Sequence, residues 1–289
     1  MYLWAWYKDT NGERIITDDI PNAPELKDPT IELLEEIKEK KKVVADFNTE
    51  HFYFEMLLRN FDDIRKSLQD FEDMQANNVF SHIPYTRNIN RLFINALGSI
   101  MTYVEYYERA SKKWEIDNMD RVTSEFYDNY ELYRFLYKLR NFSVHVCYPI
   151  TELISTTDNR LYQHFIDVDY LLSFSFQWGK DVKEDLQKGS KKINLKNLVD
   201  EAMIMYTKFH LKLTRPRINE ILKIQKFYDN FAIKYKNHYQ YPVLMIYNLE
   251  EKKCNIQVLF DQDVEQLEFA LAILGIDAHT GQESSPHVN

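Results

Sequence analysis

Glycine and proline are scarce in this chain, six and eight among 289 residues. Both residues punctuate a backbone, so their scarcity argues against a many-turned sandwich and for long helices. Cysteine is scarcer still. Cys147 and Cys254 alone make neither a disulfide framework nor a zinc site, the pattern of a cytoplasmic protein with reduced thiols. No apolar run approaches the length of a membrane span. The opening MYLWAWYKD has no basic n-region and no small-residue cleavage site, so neither a secretion signal nor a membrane partner is expected.

The usual chemical signatures are missing too. The sequence holds no P-loop, G-x-G-x-x-G, H-E-x-x-H, C-x-x-C or G-x-S-x-G, which leaves nucleotide loops, zinc peptidases, thiol redox centres and serine hydrolase elbows unsupported. His51, His82, His164, His210 and His238 lack ligand spacing, so no metal and no cofactor are expected. Net charge is −9, which opposes non-specific coating of nucleic acid. One block differs: residues 181–240 carry 13 Lys/Arg against 7 Asp/Glu. A solvated helix face is the plain reading of that block, and an RNA-guiding or regulator-binding surface is the other.

What is abundant is aromatic and aliphatic side chain, including 20 Tyr and 18 Phe. That composition belongs to a packed globular protein. Alternating aromatic and β-branched residues around Asn11-Gly12 predict a hairpin within residues 1–28, and Asp28 with Pro29 predicts a helix start. Helices are then expected over 29–45, from Asn48 or Thr49 to Met74, over 85–114 and from Arg121 to Tyr148. A hairpin should follow around Thr157–Asn159. Two helices, Leu195–Leu213 and Ile218–Asn237, should be broken at Arg215-Pro216-Arg217. A third hairpin over 243–260 and a helix over 262–274 complete the expectation, with a flexible tail at 276–289. The fold class is thus mainly α with accessory β-hairpins. The expected divisions are 1–28, a helical bundle over 29–150, and 151–275 packed on that bundle.

The fourth helix carries the chemistry. Leu132, Phe135, Leu136, Leu139, Phe142 and Val146 recur at the 3/4 spacing of a buried face. Arg134, Lys138, Asn141 and His145 share another side, with Tyr130, Tyr133 and Tyr137 beside Arg140. Arg140 and His145 themselves lie about 140° apart around a helix. That front is too polar for a core and too aromatic for a plain solvated surface. Pro149 cannot donate to the carbonyl of His145, so the helix should end there, leaving His145 in a last turn whose dipole favours imidazolium. Arginine can hold a phosphate while histidine moves protons to or from a ribose hydroxyl, a minimal kit for cutting RNA. The alternative gives Arg140 to a salt bridge with Glu131 or Asp128, and Asn141 to backbone capping.

In that setting, Arg140-Asn141-Phe142-Ser143-Val144-His145 resembles the R-x-x-x-x-H motif of the HEPN superfamily, helical bundles many of which cut RNA. The resemblance covers residues 48–150. It implies a homodimer whose two motifs form one composite site, and metal-independent endoribonuclease activity with cyclic 2′,3′-phosphate ends. The setting it implies is phage defence, abortive infection or a toxin system, with an antitoxin or other regulatory partner. Arg140, Asn141 and His145 are then the catalytic candidates. Arg134, Tyr137, Lys138 and Tyr148 are candidates for contacting RNA or the second copy. A family subset carries a modifiable tyrosine two residues past the histidine, where this chain has Cys147, so that regulation is not expected. The other class of function is a non-catalytic HEPN-fold module that binds a protein or nucleic acid.

Overall fold

The computed structural model describes residues 2–10, 13–16, 31–77, 82–113, 119–155, 162–235, 241–248, 253–258, 271–272 and 276. Among them the chain is mainly helical with a minority of antiparallel strand, as its few glycines and prolines suggest. It forms two compact units, one of residues 1–51 and 215–289, the other of residues 52–214. These boundaries differ from the divisions at 28, 150 and 275 read from sequence.

In the first unit, β1 (Tyr2–Thr10) and β2 (Glu13–Ile16) pair antiparallel with Thr10 opposite Glu13, the hairpin expected there. β1 also pairs with β6 (Tyr241–Asn248), which pairs with β7 (Lys253–Val258), so the sheet order is β2-β1-β6-β7. Two hairpins more than 200 residues apart thus share one sheet, a long-range pairing that local pattern does not reveal. The expected helix start at Asp28, nearly all of the 262–274 helix and the tail beyond Ile276 lie outside the described residues; Ile276 itself is buried.

α1 (Ile31–Ala76) is one helix where the sequence suggested two. It contains neither Gly nor Pro, and Thr49 caps nothing: its hydroxyl donates to the Ala45 carbonyl one turn back, at 2.7 Å. The helix over 195–237 likewise stays whole, as α7 (Leu195–Tyr235), with Pro216 inside it. The lost hydrogen bond is tolerated there, and Arg217 forms a buried ion pair with Glu50 within the first unit.

The second unit holds the bundle. It takes residues of α1 and α7, together with α2 (His82–Lys113), α3 (Met119–Asn129), α4 (Glu131–His145), α5 (Val168–Ser173) and α6 (Lys180–Lys188). A small antiparallel sheet, β3 (Ile150–Ser155), β4 (Tyr162–Asp167) and β5 (Lys192–Asn194), follows α4 and precedes α7. Its core joins Phe54, Leu57 and Phe61 of α1, Phe93, Leu97 and Ile100 of α2, and Phe126 of α3. Leu136, Leu139 and Phe142 of α4 and Tyr206 and Phe209 of α7 complete it. Each fully buried side chain of this size stabilises by about 1.5–3 kcal/mol. The buried face of α2 runs through Phe93, Ala96, Tyr103 and Tyr107, so the expected Leu92, Ile94 and Met101 sit at its flank, half-buried.

Three histidines with no ligand spacing prove to be buried: His51, His164 and His210. His210 stacks on Phe54 with ring centroids 3.9 Å apart, and the Tyr103 hydroxyl lies 2.9 Å from its Nδ1. It is a core histidine. Among the described residues no helix is long and apolar enough to cross a membrane, and no group of three or more His, Cys, Asp or Glu is placed to hold a metal ion.

Candidate functional site: the C-terminal end of α4

The single helix expected over 121–148 is two, broken at Tyr130, whose backbone is extended at φ −121° and ψ 102°. No glycine or proline causes the break. The exposed carbonyls at the end of α3 are instead met by side chains: Asn129 donates to the Glu125 carbonyl at 2.8 Å, and Arg134 Nη1 donates to the carbonyls of Tyr127 at 3.0 Å and Asp128 at 3.2 Å. Arg134 Nε also donates to Asp185 of α6 at 2.7 Å. That hydrogen bond holds its guanidinium above the ordinary arginine range. Arg134, read from sequence as a contact for RNA or a second copy, is committed to joining α3, α4 and α6.

Two more members of the expected front are drawn inward. Tyr133 is buried in the core, where desolvation pushes its phenol well above the usual value. Lys138 is half-buried, and a Cβ placed on Gly179 would lie 3.7 Å from its Cε. Gly179 has φ +83°, so its backbone calls for glycine at the start of α6, whereas the Lys138 contact alone would admit a Cβ. Tyr130 stacks on Phe126 at 4.5 Å, and Tyr137 remains half-buried.

Past Lys138 the helix changes character. Leu139 and Phe142 stay buried, but Val146, expected in the core, is 39% exposed. The reason lies in its backbone. α4 ends at His145, and Val146 takes φ −124° and ψ −72°, so helical spacing no longer carries its side chain inward. Its N–H still donates to the Phe142 carbonyl at 2.8 Å, as does that of Cys147 at 3.3 Å. Pro149 is buried just beyond, and the Asn90 amide grips the next residue, accepting from Ile150 N at 3.1 Å and donating to its carbonyl at 2.8 Å. The peptide leaving the helix is therefore pinned to α2.

Arg140, Asn141 and His145 stand at this end. Arg140 Nη1 donates to the Asn141 side-chain oxygen at 2.9 Å, while Arg140 Nε is shielded from solvent and makes no hydrogen bond. Neither Glu131 nor Asp128 takes the guanidinium, unlike the salt bridge weighed from sequence. His145 is exposed, in the last turn of α4, with no hydrogen bond or ion pair among the described residues. Ser143 donates back to the Leu139 carbonyl at 2.7 Å. Around His145 lie three exposed apolar side chains, Val144 at 53%, Val146 at 39% and Tyr148 at 54%. They are three of the five large hydrophobics the described surface exposes.

Part of the basic block in the second unit is ion-paired. Lys188, Lys191, Lys192, Lys196 and Lys212 of the basic block meet Glu184, Asp169, Asp167, Glu72 and Glu125. Exposed pairs of this kind stabilise little but do offset local charge. These five lysines form a solvated, ion-paired surface.

Sequence reading missed four contributors to this end of the molecule: Asn90, Tyr170, Asp185 and the aromatics of residues 174–178. Asn90 carried a signal, a polar residue on an otherwise apolar helix stripe. Phe174, Phe176 and Trp178 carried one too, an every-second-residue aromatic pattern. Asp185 carried none, since its partner is 51 residues away. Protein-family models, curated proteins and solved structures contain no match to this chain.

Proposed function

We propose that the C-terminal end of α4 is half of a ribonuclease site, completed when two copies of the chain bring their Arg140, Asn141 and His145 together. In this reading the chain is a metal-independent endoribonuclease of the HEPN type, in phage defence or a toxin system. One observation carries it. On one short helix Arg134 bonds to a carboxylate and two carbonyls, whereas among the described residues Arg140 bonds only to its neighbour Asn141 and His145 makes no hydrogen bond or ion pair. An arginine held only by its neighbour and a histidine with no hydrogen bond or ion pair among the described residues, on a helix end that also exposes Val144, Val146 and Tyr148, fit a face that meets another copy around a substrate.

The chemistry follows from what RNA brings. Its 2′-hydroxyl is the nucleophile, so the protein has to move protons and stabilise charge. One His145 accepts the 2′-hydroxyl proton as oxygen attacks phosphorus, and the His145 of the other copy protonates the departing 5′-oxygen. Arg140 stabilises the charge that builds on the phosphoryl oxygens, its plane steadied by Asn141. The products are a 2′,3′-cyclic phosphate and a free 5′-hydroxyl. In this reading Tyr148 and Tyr137 stack on unpaired bases or on the second copy.

The test is cleavage of total RNA in excess EDTA by the parent protein, Arg140→Ala and His145→Ala. The reading expects cyclic phosphate ends from the parent and loss of cleavage in both variants. Equal cleavage by all three would overturn it. A second reading makes the chain a non-catalytic HEPN-fold module that binds a protein or nucleic acid. The net charge of −9 and the ion-paired lysines favour it, and it expects no cleavage by the parent together with retained partner binding.

A further inference from the structure

His145 makes no hydrogen bond or ion pair among the described residues, so its imidazole takes its place from the backbone of the turn that carries it. That turn is held at Phe142. The Phe142 carbonyl accepts the N–H groups of both Val146 and Cys147. Its ring meets Phe174 and Phe176 edge-on, each at 5.5 Å, and stacks on Trp178 at 5.2 Å. Those three aromatics alternate with Ser175 and Gln177 in a short strap between α5 and α6. Two three-residue turns shape the strap, with Phe176 N donating to the Phe174 carbonyl at 2.8 Å and Trp178 N to the Phe176 carbonyl at 3.1 Å.

The strap begins at Tyr170 on α5, a helix started by the Asp167 carboxylate accepting from Tyr170 N at 3.0 Å. The Tyr170 ring meets Phe174 edge-on at 5.0 Å, and its hydroxyl lies 3.1 Å from Cys147 Sγ. Residues 170–178 therefore touch the motif helix at Phe142, three residues before His145, and its exit at Cys147, two residues after.

We propose that Tyr170 is a positioning residue for His145, its hydroxyl tethering Cys147 so that the turn between Phe142 and Cys147 presents the imidazole in one orientation. This rests on the reading of His145 as the group that moves the proton. Burial, reinforced by the Cys147 thiol, pushes the Tyr170 phenol up to about 12. The hydroxyl therefore keeps its proton throughout the neutral pH range, and the tether with it.

Three variants test it: Tyr170→Phe, which keeps the ring on Phe174, Cys147→Ala, which removes the other end, and Cys147→Ser, which keeps a polar partner. Each is assayed for RNA cleavage, thermal unfolding and the proton–nitrogen correlation spectrum of the His145 imidazole. Tyr170→Phe and Cys147→Ala should each lower kcat about fivefold to tenfold, the scale of one hydrogen bond, with KM and Tm held. The double variant should fall no further, and Cys147→Ser should keep most of the parental kcat. In both damaged proteins the His145 signals should move or broaden. Parental kcat and an unmoved His145 spectrum in Tyr170→Phe would overturn the proposal. If the parent cuts no RNA, the ribonuclease reading fails and the spectrum alone decides: moved signals uphold the tether, unmoved ones dismiss it.

Discussion

The two ends of α4 carry similar residues and use them differently. Near its start, Arg134 has a side chain only 12% exposed and bonds to a carboxylate and two carbonyls. Near its end, among the described residues, Arg140 bonds to one neighbouring amide and His145 makes no hydrogen bond or ion pair. Tyr133 lies in the core, whereas Tyr148 faces water beside Val144 and Val146. Residue type alone does not separate a structural arginine from one available for chemistry. The number of protein groups already holding it does.

That contrast can be broken or sharpened by substitution. The largest effect should come from the buried side of the motif. Phe142→Ala leaves a hole between the strap and the bundle and should cost about 3–5 kcal/mol in denaturant unfolding, against less than about 0.5 kcal/mol for Val144→Ala. Next comes the arginine pair. Arg134→Met strands Asp185 and two carbonyls and should cost about 1–3 kcal/mol, while Arg140→Met should stay within about 0.5 kcal/mol. Equal losses for the two arginines would erase the distinction.

A pH experiment probes the core side of the same helix. Burial raises the phenols of Tyr103, Tyr107, Tyr133 and Tyr206 far above their ordinary value. Their folded forms favour the protonated state, so this stability is present in full below about pH 10. It is lost as pH climbs from there toward the raised folded values, by up to about 1.4 kcal/mol per pH unit for each tyrosine. Tyr133→Phe should make the alkaline decline shallower, and an unchanged slope would place Tyr133 outside the buried set. The smallest effect on stability belongs to the exposed ring around His145. Val144→Asp combined with Val146→Asp should leave Tm within about 2 °C yet turn a dimer into a monomer by light scattering. A parent protein that is already monomeric would remove the second copy from the account.

How much of this the sequence carried depends on the range of the interaction involved. The end of α4 was legible because Leu136, Leu139 and Phe142 keep helical spacing while Arg140, Asn141 and His145 depart from it. Pro149 correctly left His145 in the last turn, although the helix stops at His145 and not at Tyr148. The break at Tyr130 was not legible, because Arg134 makes it possible through bonds that exist only once α3 and α6 are in place. Thr49 looked like a cap but folds its hydroxyl back onto Ala45, and with no Gly or Pro nearby α1 runs on. The hairpins at 2–16 and 241–258 were readable one by one, since pairing within each is local. Their union through β1 and β6 was hidden by sequence distance. Val146 misled because helical periodicity was extended one residue past the point where the backbone stops obeying it.

The most direct measurement is cleavage of RNA in excess EDTA by the parent protein beside His145→Ala, with Arg134→Met as the structural control. The account expects the parent to produce 2′,3′-cyclic phosphate ends, His145→Ala to lose at least about a hundredfold in rate, and whatever Arg134→Met molecules remain folded to cleave as the parent does. Cleavage undiminished in His145→Ala would contradict it.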